Sequence, residues 1–286
     1  MSQTRAGFTK GGPIPITVMI LSKNEEAGIA NTIDRVAMFE QVVVIDSHST
    51  DRTVEISKAH HAEVVSFAWD GKYPKKKQWS LQHAGARHRW VLLLDADEYP
   101  SDQLIQEMRD LAPRLGDERH AAFNILLSYR FSGKFLNHGH RVTKRSLLDI
   151  QRTRFPVVDD LLAPGIREVE GHYQPEADGQ VGQLNGRLMH DDKDPVASWF
   201  DRHNKYSDWE AHLRMNADLR RDIASKRSPK GAFFDRVPFK PVVFFGYSYI
   251  LRQGFLDGRA GFDYAIALSM YYWQIGVKKR ELRRAG

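Results

Sequence analysis

Short apolar runs at residues 16–21, 41–45 and 90–94 each end abruptly in polar side chains, with stretches of helical periodicity between them. A continuous aliphatic run marks a strand covered on both faces, because a strand with one wet face would alternate. Residues 29–37 place Ile29, Ile33, Val36 and Ala37 on one helical face. Residues 53–60 and 78–87 read as further helices, and 62–67 as another strand. Strands alternating with helices at this spacing predict right-handed βαβ crossovers and a parallel sheet, so the strand ends should share one edge. Ligands of open α/β sheets bind at that edge. The expected fold is α/β: a Rossmann-like, mostly parallel sheet flanked by helices, with a C-terminal helical extension.

The strand ends carry the chemistry. The first ends in Ser22-Lys23-Asn24-Glu25-Glu26, the second in Asp46-Ser47-His48-Ser49-Thr50-Asp51, and the third in Asp95-Ala96-Asp97-Glu98. Two hard oxygen ligands one residue apart, Asp95 and Asp97, suit Mg²⁺ or Mn²⁺ held against nucleotide phosphates. Ser22, Asn24, Glu25 and Asp46 are donor-binding candidates, and Asp46 can accept from a nucleobase imide or a ribose hydroxyl. Asp51 and Thr53 are expected to cap the next helix, and Ser47, Ser49 and Thr50 to shape the turn. Lys75, Lys76, Lys77 and Arg87 are the cations near a diphosphate. One lysine is expected on phosphate and two in solvent.

A formal net charge of +6 points to anionic partners: nucleotide phosphates, acidic lipid or nucleic acid. The acidic strand ends argue against nucleic acid, whose phosphates they repel. A nicotinamide dehydrogenase needs G-x-G-x-x-G after its first strand, and residues 22–28 hold nothing of the kind. With no cysteine, disulfides, thiolate metal sites and a cysteine nucleophile are excluded.

Beyond residue 101 the pattern changes. Residues 102–111 read as a helix and 121–131 as a strand, while 132–190, rich in Gly, Arg, His and Asp, read as a loop-rich substrate region. His190 is a candidate third metal ligand or diphosphate contact; His138, His140 and His172 are expected to support loops. Asp194-Pro195 signals a helix start, followed by Val196, Trp199, Phe200, His203 and Tyr206 at helical spacing. Trp199 and Phe200 are expected in the core.

The C-terminal part joins an aromatic, glycine-punctuated segment to a basic run at 278–284. That composition suits either a membrane-surface helix or a helical pair packed on the core. The first 15 residues lack the apolar centre of a signal peptide. The longest apolar candidate, 262–277, is interrupted by Asp263 and Gln274 and is short of the ~20 residues of a span. A cytoplasmic protein, peripheral on the inner face of the membrane, is expected. The expected division is a flexible terminus (1–15), a catalytic domain (16–195) and a helical region (196–286).

Residues 16–98 closely resemble the nucleotide-sugar-binding half of family 2 glycosyltransferases of the GT-A fold. The likeness rests on the Ser22–Glu26 ending, on Val44-Ile45-Asp46 through Thr53, on Lys77-Gln78 and on Leu94-Asp95-Ala96-Asp97-Glu98. It is most similar to the branch containing lipopolysaccharide-core glucosyltransferases. It continues more loosely through Gly165-Ile166-Arg167-Glu168, Leu188-Met189-His190 and His203-Asn204-Lys205-Tyr206-Ser207. The resemblance implies that the catalytic domain (16–195) divides into a nucleotide-sugar half to residue 100 and an acceptor half beyond. It implies that Asp46 recognises the base, usually uracil, and that Lys77 sits near the base or diphosphate. It places Asp95 at the ribose or the metal's water shell and makes Asp97 a ligand of the divalent metal. Similar enzymes carry a His-Glu pair whose carboxylate is a general base; here Arg167-Glu168 stands in its place, with Asp159, Asp160 and Glu170 as rivals to Glu168. The implied activity is metal-dependent, inverting transfer of a sugar from a nucleotide-sugar donor to a saccharide or lipid-linked cell-envelope acceptor. The competing readings are a catalytically silent nucleotide-sugar binder and a basic nucleic-acid-binding module.

Overall fold

A computed structural model describes residues 12–116, 118–158, 161, 168–170, 173–215 and 237–285. Residues 1–11 and Asp159, Asp160, Gly165, Ile166, Arg167 and His172 lie outside the described residues.

The three apolar runs are three neighbouring strands. β1 (Ile14–Ser22) lies between β2 (Phe39–Asp46) and β4 (Trp90–Asp95), and β3 (Glu63–Ser66) pairs outside β2; all four are parallel. The register sets Ser22 opposite Asp46 and Leu21 opposite Asp95, so the polar ends stand in one row, as the alternation requires. Uninterrupted burial has its expected cause. Val18, Ile20, Val44, Leu92 and Leu94 face α1 (Ile29–Arg35) and α4 (Asp102–Leu111) on one side. Met19, Leu21, Val43, Ile45 and Leu93 pack with Leu81 of α3 (Lys76–His83) on the other. α2 (Thr53–Ala59) completes the alternating half. α4 keeps its expected bounds because Ser101 caps it, its hydroxyl accepting from the Leu104 N–H, and because Leu104, Ile105, Met108 and Leu111 form one buried face.

The sheet runs β3-β2-β1-β4-β8-β6-β11-β5. Its remaining strands are β5 (Glu98–Pro100), β6 (His120–Phe131), β8 (Thr143–Asp149) and β11 (Gln180–His190), with the short β7 (Lys134–Phe135) paired to β6. β9 (Thr153–Arg154) and β10 (Glu176–Ala177) form a separate ribbon. The loop-rich reading of 132–190 is therefore corrected: β8 and β11 are members of the main sheet. β11 reads as loop because of its glycines, which packing demands. A Cβ on Gly186 would stand 2.4 Å from the Leu104 backbone of α4. Two smaller corrections concern helix ends. Ala37 is exposed and Thr32 fills the inner face of α1, its hydroxyl donating to the Ala96 carbonyl at 2.6 Å. α3 spans Lys76–His83 rather than 78–87; Gly85 in the left-handed region (φ 82° at Gly71, 73° here) turns the chain into β4.

The C-terminal region is helical: α5 (Val196–Met215), α6 (Lys240–Phe245), a π-helical segment (Gly246–Leu251), a 3₁₀ turn (Gly254–Asp257) and α7 (Arg259–Ala285). α7 packs against both α5 and α6. Phe131 and Leu136 of the sheet side join Phe244, Tyr264, Ala267 and Leu268 in a second, smaller core. Among the described residues no helix is long and apolar enough to cross a membrane.

Candidate active site

A cavity of about 730 Å³ opens where the strand ends meet the C-terminal helices. Glu25, Lys77, Asp95, Asp97 and His190 line it. Antiparallel pairing of β11 with β5 sets His190 directly opposite Glu98, which is how a residue 92 positions away reaches the third strand end. His190 Nε2 lies 3.4 Å from Asp97 Oδ2, and His190 Nδ1 lies 3.7 Å from Glu98 Oε1, beyond hydrogen-bond range, leaving that buried nitrogen without a hydrogen-bond partner.

Asp97, His190 and Asp192 bring ligand atoms within 4.8 Å of one another. Burial pushes the Asp97 carboxyl up to about 6, and the charges of Glu98, Asp95 and Asp192 add to the rise against the opposing pull of His190. Burial opposes a charge on His190, but Asp97, Glu98 and Asp95 outweigh it and hold its pKa up at about 9. A divalent cation would relieve this carboxylate crowding, and two carboxylates with one imidazole are donors that Mg²⁺ and Mn²⁺ accept. The residues fit such an ion.

Asp95 is placed differently from Asp97. Its carboxylate pairs with Lys144 Nζ at 2.9 Å, the same ammonium binds Glu98, and the Asp95 N–H donates to Glu98 Oε2 at 3.0 Å. Despite burial, Lys144 holds both carboxyls below the usual range, and they hold the Lys144 ammonium above its own. Lys144 comes from β8, and Asp192 from the loop after β11, where Arg202 of α5 grips Asp192 and also Asp194, the latter at 2.8 Å. Neither Lys144 nor Asp192 is among the sequence candidates; the one available signal was that Asp192 follows His190 by two residues.

Ser22, Asn24 and Asp46 do not line the cavity. They bind one another's loops: Asp46 accepts from Ser22 Oγ at 3.2 Å and from the Ser49 N–H at 2.8 Å, and Asn24 Oδ1 accepts from the Thr50 N–H at 2.8 Å. The expected capping by Asp51 and Thr53 is corrected: Arg52 stands at the N-cap without a side-chain bond, while Asp51 accepts from the Thr53 N–H and hydroxyl just beyond it and Thr53 ties down the Glu25 N–H. Glu25 projects instead into the cavity, where burial, followed by Asp97, Asp194 and Asp192, pushes its carboxyl up to about 7.

The lysine run is not solvated, contrary to expectation. Lys75 is buried beneath the Tyr73 and Trp69 rings, 5.3 and 5.9 Å from their centroids. Lys76 is buried and donates to the Ser22 carbonyl at 2.7 Å; burial lowers its pKa to about 8 against the pull of Glu168 and Asp46. Lys77 alone of the three lines the cavity. Glu168 stands outside the cavity wall, 3.7 Å from Lys23, its carbonyl accepting from the Lys76 N–H. Glu170 is occupied as a cap, its two oxygens accepting from the Lys77 and Gln78 N–H groups.

The opposite wall is aromatic. Trp199 lines the cavity, stacked on His203 with ring centroids 3.5 Å apart, and Tyr264 and Tyr271 of α7 continue the wall. Phe200 is 40% exposed. Phe200 departs from the expected core role, whereas Trp199 packs against the smaller core, edge-on to Phe131, while also facing the cavity. His138 supports its loop through Asp257 at 3.2 Å, as expected. His140 lines the cavity, and burial, helped by Arg252, lowers its pKa to about 4.

Known proteins match this chain along most of its length. An uncharacterized glycosyltransferase of Rickettsia typhi is 27% identical over 93% of this chain and 87% of its own. The lipopolysaccharide core biosynthesis glycosyltransferase LpsC of Rhizobium meliloti is 24% identical over 93% of this chain and 92% of its own. Glucosyl-3-phosphoglycerate synthase of Mycobacterium tuberculosis, solved with Mn²⁺ and UDP, is 24% identical over 41% of this chain at a TM-score of 0.30, a likeness too partial to carry weight. The chain spans 44% of that structure's length. The family model for glycosyl transferase family 2 matches residues 17–160, half of the chain. With the sheet, the polar strand ends and the cavity at their edge, this match establishes that the chain belongs to glycosyl transferase family 2.

Proposed function

We propose that the protein transfers a sugar from a nucleoside-diphosphate donor, a UDP-sugar, to a saccharide or lipid-linked acceptor of the cell envelope, with inversion and with a divalent cation. The observation that carries this reading is the convergence of Asp97, His190 and Asp192 in one cavity whose far wall is aromatic. Asp97, His190 and Asp192 would hold the Mg²⁺ or Mn²⁺, which when bound neutralises charge on the departing diphosphate. Lys77 adds a cation on the same wall. Lys144 fixes Asp95 and Glu98, and with them the backbone that carries Asp97. Ser22, Asn24 and Asp46 brace the neighbouring strand ends, where the base and ribose of the donor are expected. Trp199, His203, Tyr264 and Tyr271 offer the apolar, aromatic lining on which sugar rings are held. The acceptor class is supported by the role named for LpsC, and work at the cytoplasmic face of a membrane is part of this proposal.

An acceptor hydroxyl attacking the anomeric carbon must lose its proton to a carboxylate. Glu168 is the base on the motif. Glu25 is the base that the geometry favours, since it lines the cavity and its pKa near 7 suits proton transfer. The two are separated by comparing Glu168→Gln with Glu25→Gln. Loss of general-base help lowers kcat by about 10²–10⁴ while donor binding stays within a few-fold. The variant that keeps normal turnover is not the base.

The donor reading is tested by thermal stabilisation with UDP-, GDP-, dTDP- and CDP-sugars, with and without Mn²⁺. A shift confined to one nucleotide class in the presence of Mn²⁺, and lost in Asp97→Ala, is expected. An equal shift without metal, or one retained in Asp97→Ala, would overturn it.

A further inference from the structure

We propose that the face spanning residues 239–251 docks the protein on an anionic lipid bilayer. This deepens the membrane-side acceptor reading above, but it rests on separate observations. Phe239 is 82% exposed, Val242 72%, Ile250 65% and Leu251 73%, with Val243 and Tyr247 also exposed between them. Positions 239, 242, 243, 247, 250 and 251 recur at helical spacing along α6 and the π-helical segment, so they form one face. Phe244 and Ser248, on the other side, are buried. The segment is thus apolar toward the protein and apolar toward solvent. Among described residues before Phe239, the exposed large hydrophobics are only Val157, Val196, Phe200 and Met215. A contiguous exposed stripe of this kind marks an interaction surface.

Two further features select lipid. Phe239 has φ 49° and ψ 41°, a left-handed conformation that strains a bulky residue, and its exposed ring gains no packing in return. Residues 238–256 contain Lys240 and Arg252 and no acidic residue. The next acid, Asp257, is buried and turned inward, accepting from the Asn137 and His138 N–H groups. An apolar face whose own segment carries Lys240 and Arg252 and no acid complements anionic headgroups. In a two-fold contact, by contrast, a second copy would set Lys240 and Arg252 against their own equivalents. α7, packed on α6, exposes Ile266, Met270 and Trp273 at i, i+4 and i+7, and tryptophan favours the membrane interface. Phe244 and Tyr272 line the cavity, so α6 stands between the cavity and the docking face.

The test is flotation of the full-length protein, without donor, on vesicles of phosphatidylglycerol and phosphatidylcholine against phosphatidylcholine alone. Wild type is expected to float with the anionic vesicles and to be released by salt. Phe239→Glu/Ile250→Glu should lower binding at least tenfold, and Lys240→Gln/Arg252→Gln similarly, while the control Val157→Glu binds as wild type. Circular dichroism monitors folding; if the glutamate pair fails to fold, Phe239→Ala/Ile250→Ala should still show a measurable loss. Absence of wild-type binding, or full binding by the folded Phe239/Ile250 variants, overturns the proposal. So does a wild-type dimer that these variants dissolve while vesicle binding is absent. Donor binding is scored separately by thermal shift, so failure of one reading leaves the other standing.

Discussion

Lys144 shows how much of the site depends on one side chain. Its ammonium is shared by Asp95, whose side chain is partly exposed, and Glu98, which is buried. Removing one member of a buried charge cluster leaves the others unpaired, at a cost of about 3–5 kcal/mol. Lys144→Met should therefore lower the unfolding free energy by about that amount in urea titrations, and should weaken Mn²⁺ binding by disturbing Asp97. The pH dependence of metal binding follows from Asp97 and His190. A cation requires both unprotonated, and their pKa values are raised to about 6 and about 9. Apparent Mn²⁺ affinity should accordingly rise with pH across that window and level off above it, as isothermal titration would show; a flat profile would exclude His190 as a ligand. Asp97 was legible in the sequence because it follows an unbroken apolar run, and His190 because it follows the short Leu188-Met189 pair ahead of two aspartates. Lys144 and Asp192 were not, because the strands that deliver them do not read as strands.

At the level of elements, the parallel half was legible and the return half was not. β1, β2 and β4 are covered on both faces, and full burial writes an unbroken apolar run. β11 runs between β6 and β5 under α4, and its contact with α4 requires glycine, a residue that punctuates sequence as a loop does. Gly186→Ala must force α4 away from the sheet, since the Cβ would meet backbone rather than a pliable side chain. A loss of about 2–4 kcal/mol is expected by denaturant unfolding. Asp149, at the end of β8, receives bonds from Arg89 at 2.9 and 2.6 Å and from Arg152. Burial acts to raise its carboxyl, but these arginines hold it below the usual range. A folded-state pKa below the unfolded value of about 3.9 gives stability that is complete above that value and lost as pH falls through the folded one. The acid-unfolding midpoint of wild type and Asp149→Asn should differ in that direction: the variant is less stable at neutral pH, and the gap closes on acidification.

On the scale of the whole molecule, a sheet edge supplies acids and a helical region supplies aromatics to a single cavity. Sequence revealed the first because its motif is local. The second was read as core, because Trp199 and its neighbours have the spacing of a packed helix face whichever way that face is turned. A chain of net charge +6 thus gathers Glu25, Asp95, Asp97, Glu98 and Asp192 along one cavity wall.

The crowding of Glu25, Asp95, Asp97, Glu98 and Asp192 around one point also dictates an order of events. With a chelator present, Glu25, Asp97 and Asp192 oppose a free pyrophosphate on that wall, so UDP should bind more weakly until Mn²⁺ is supplied. Steady-state kinetics should then follow a compulsory sequence in which cation precedes or accompanies donor, with dissociation of the spent nucleotide quickened by chelation.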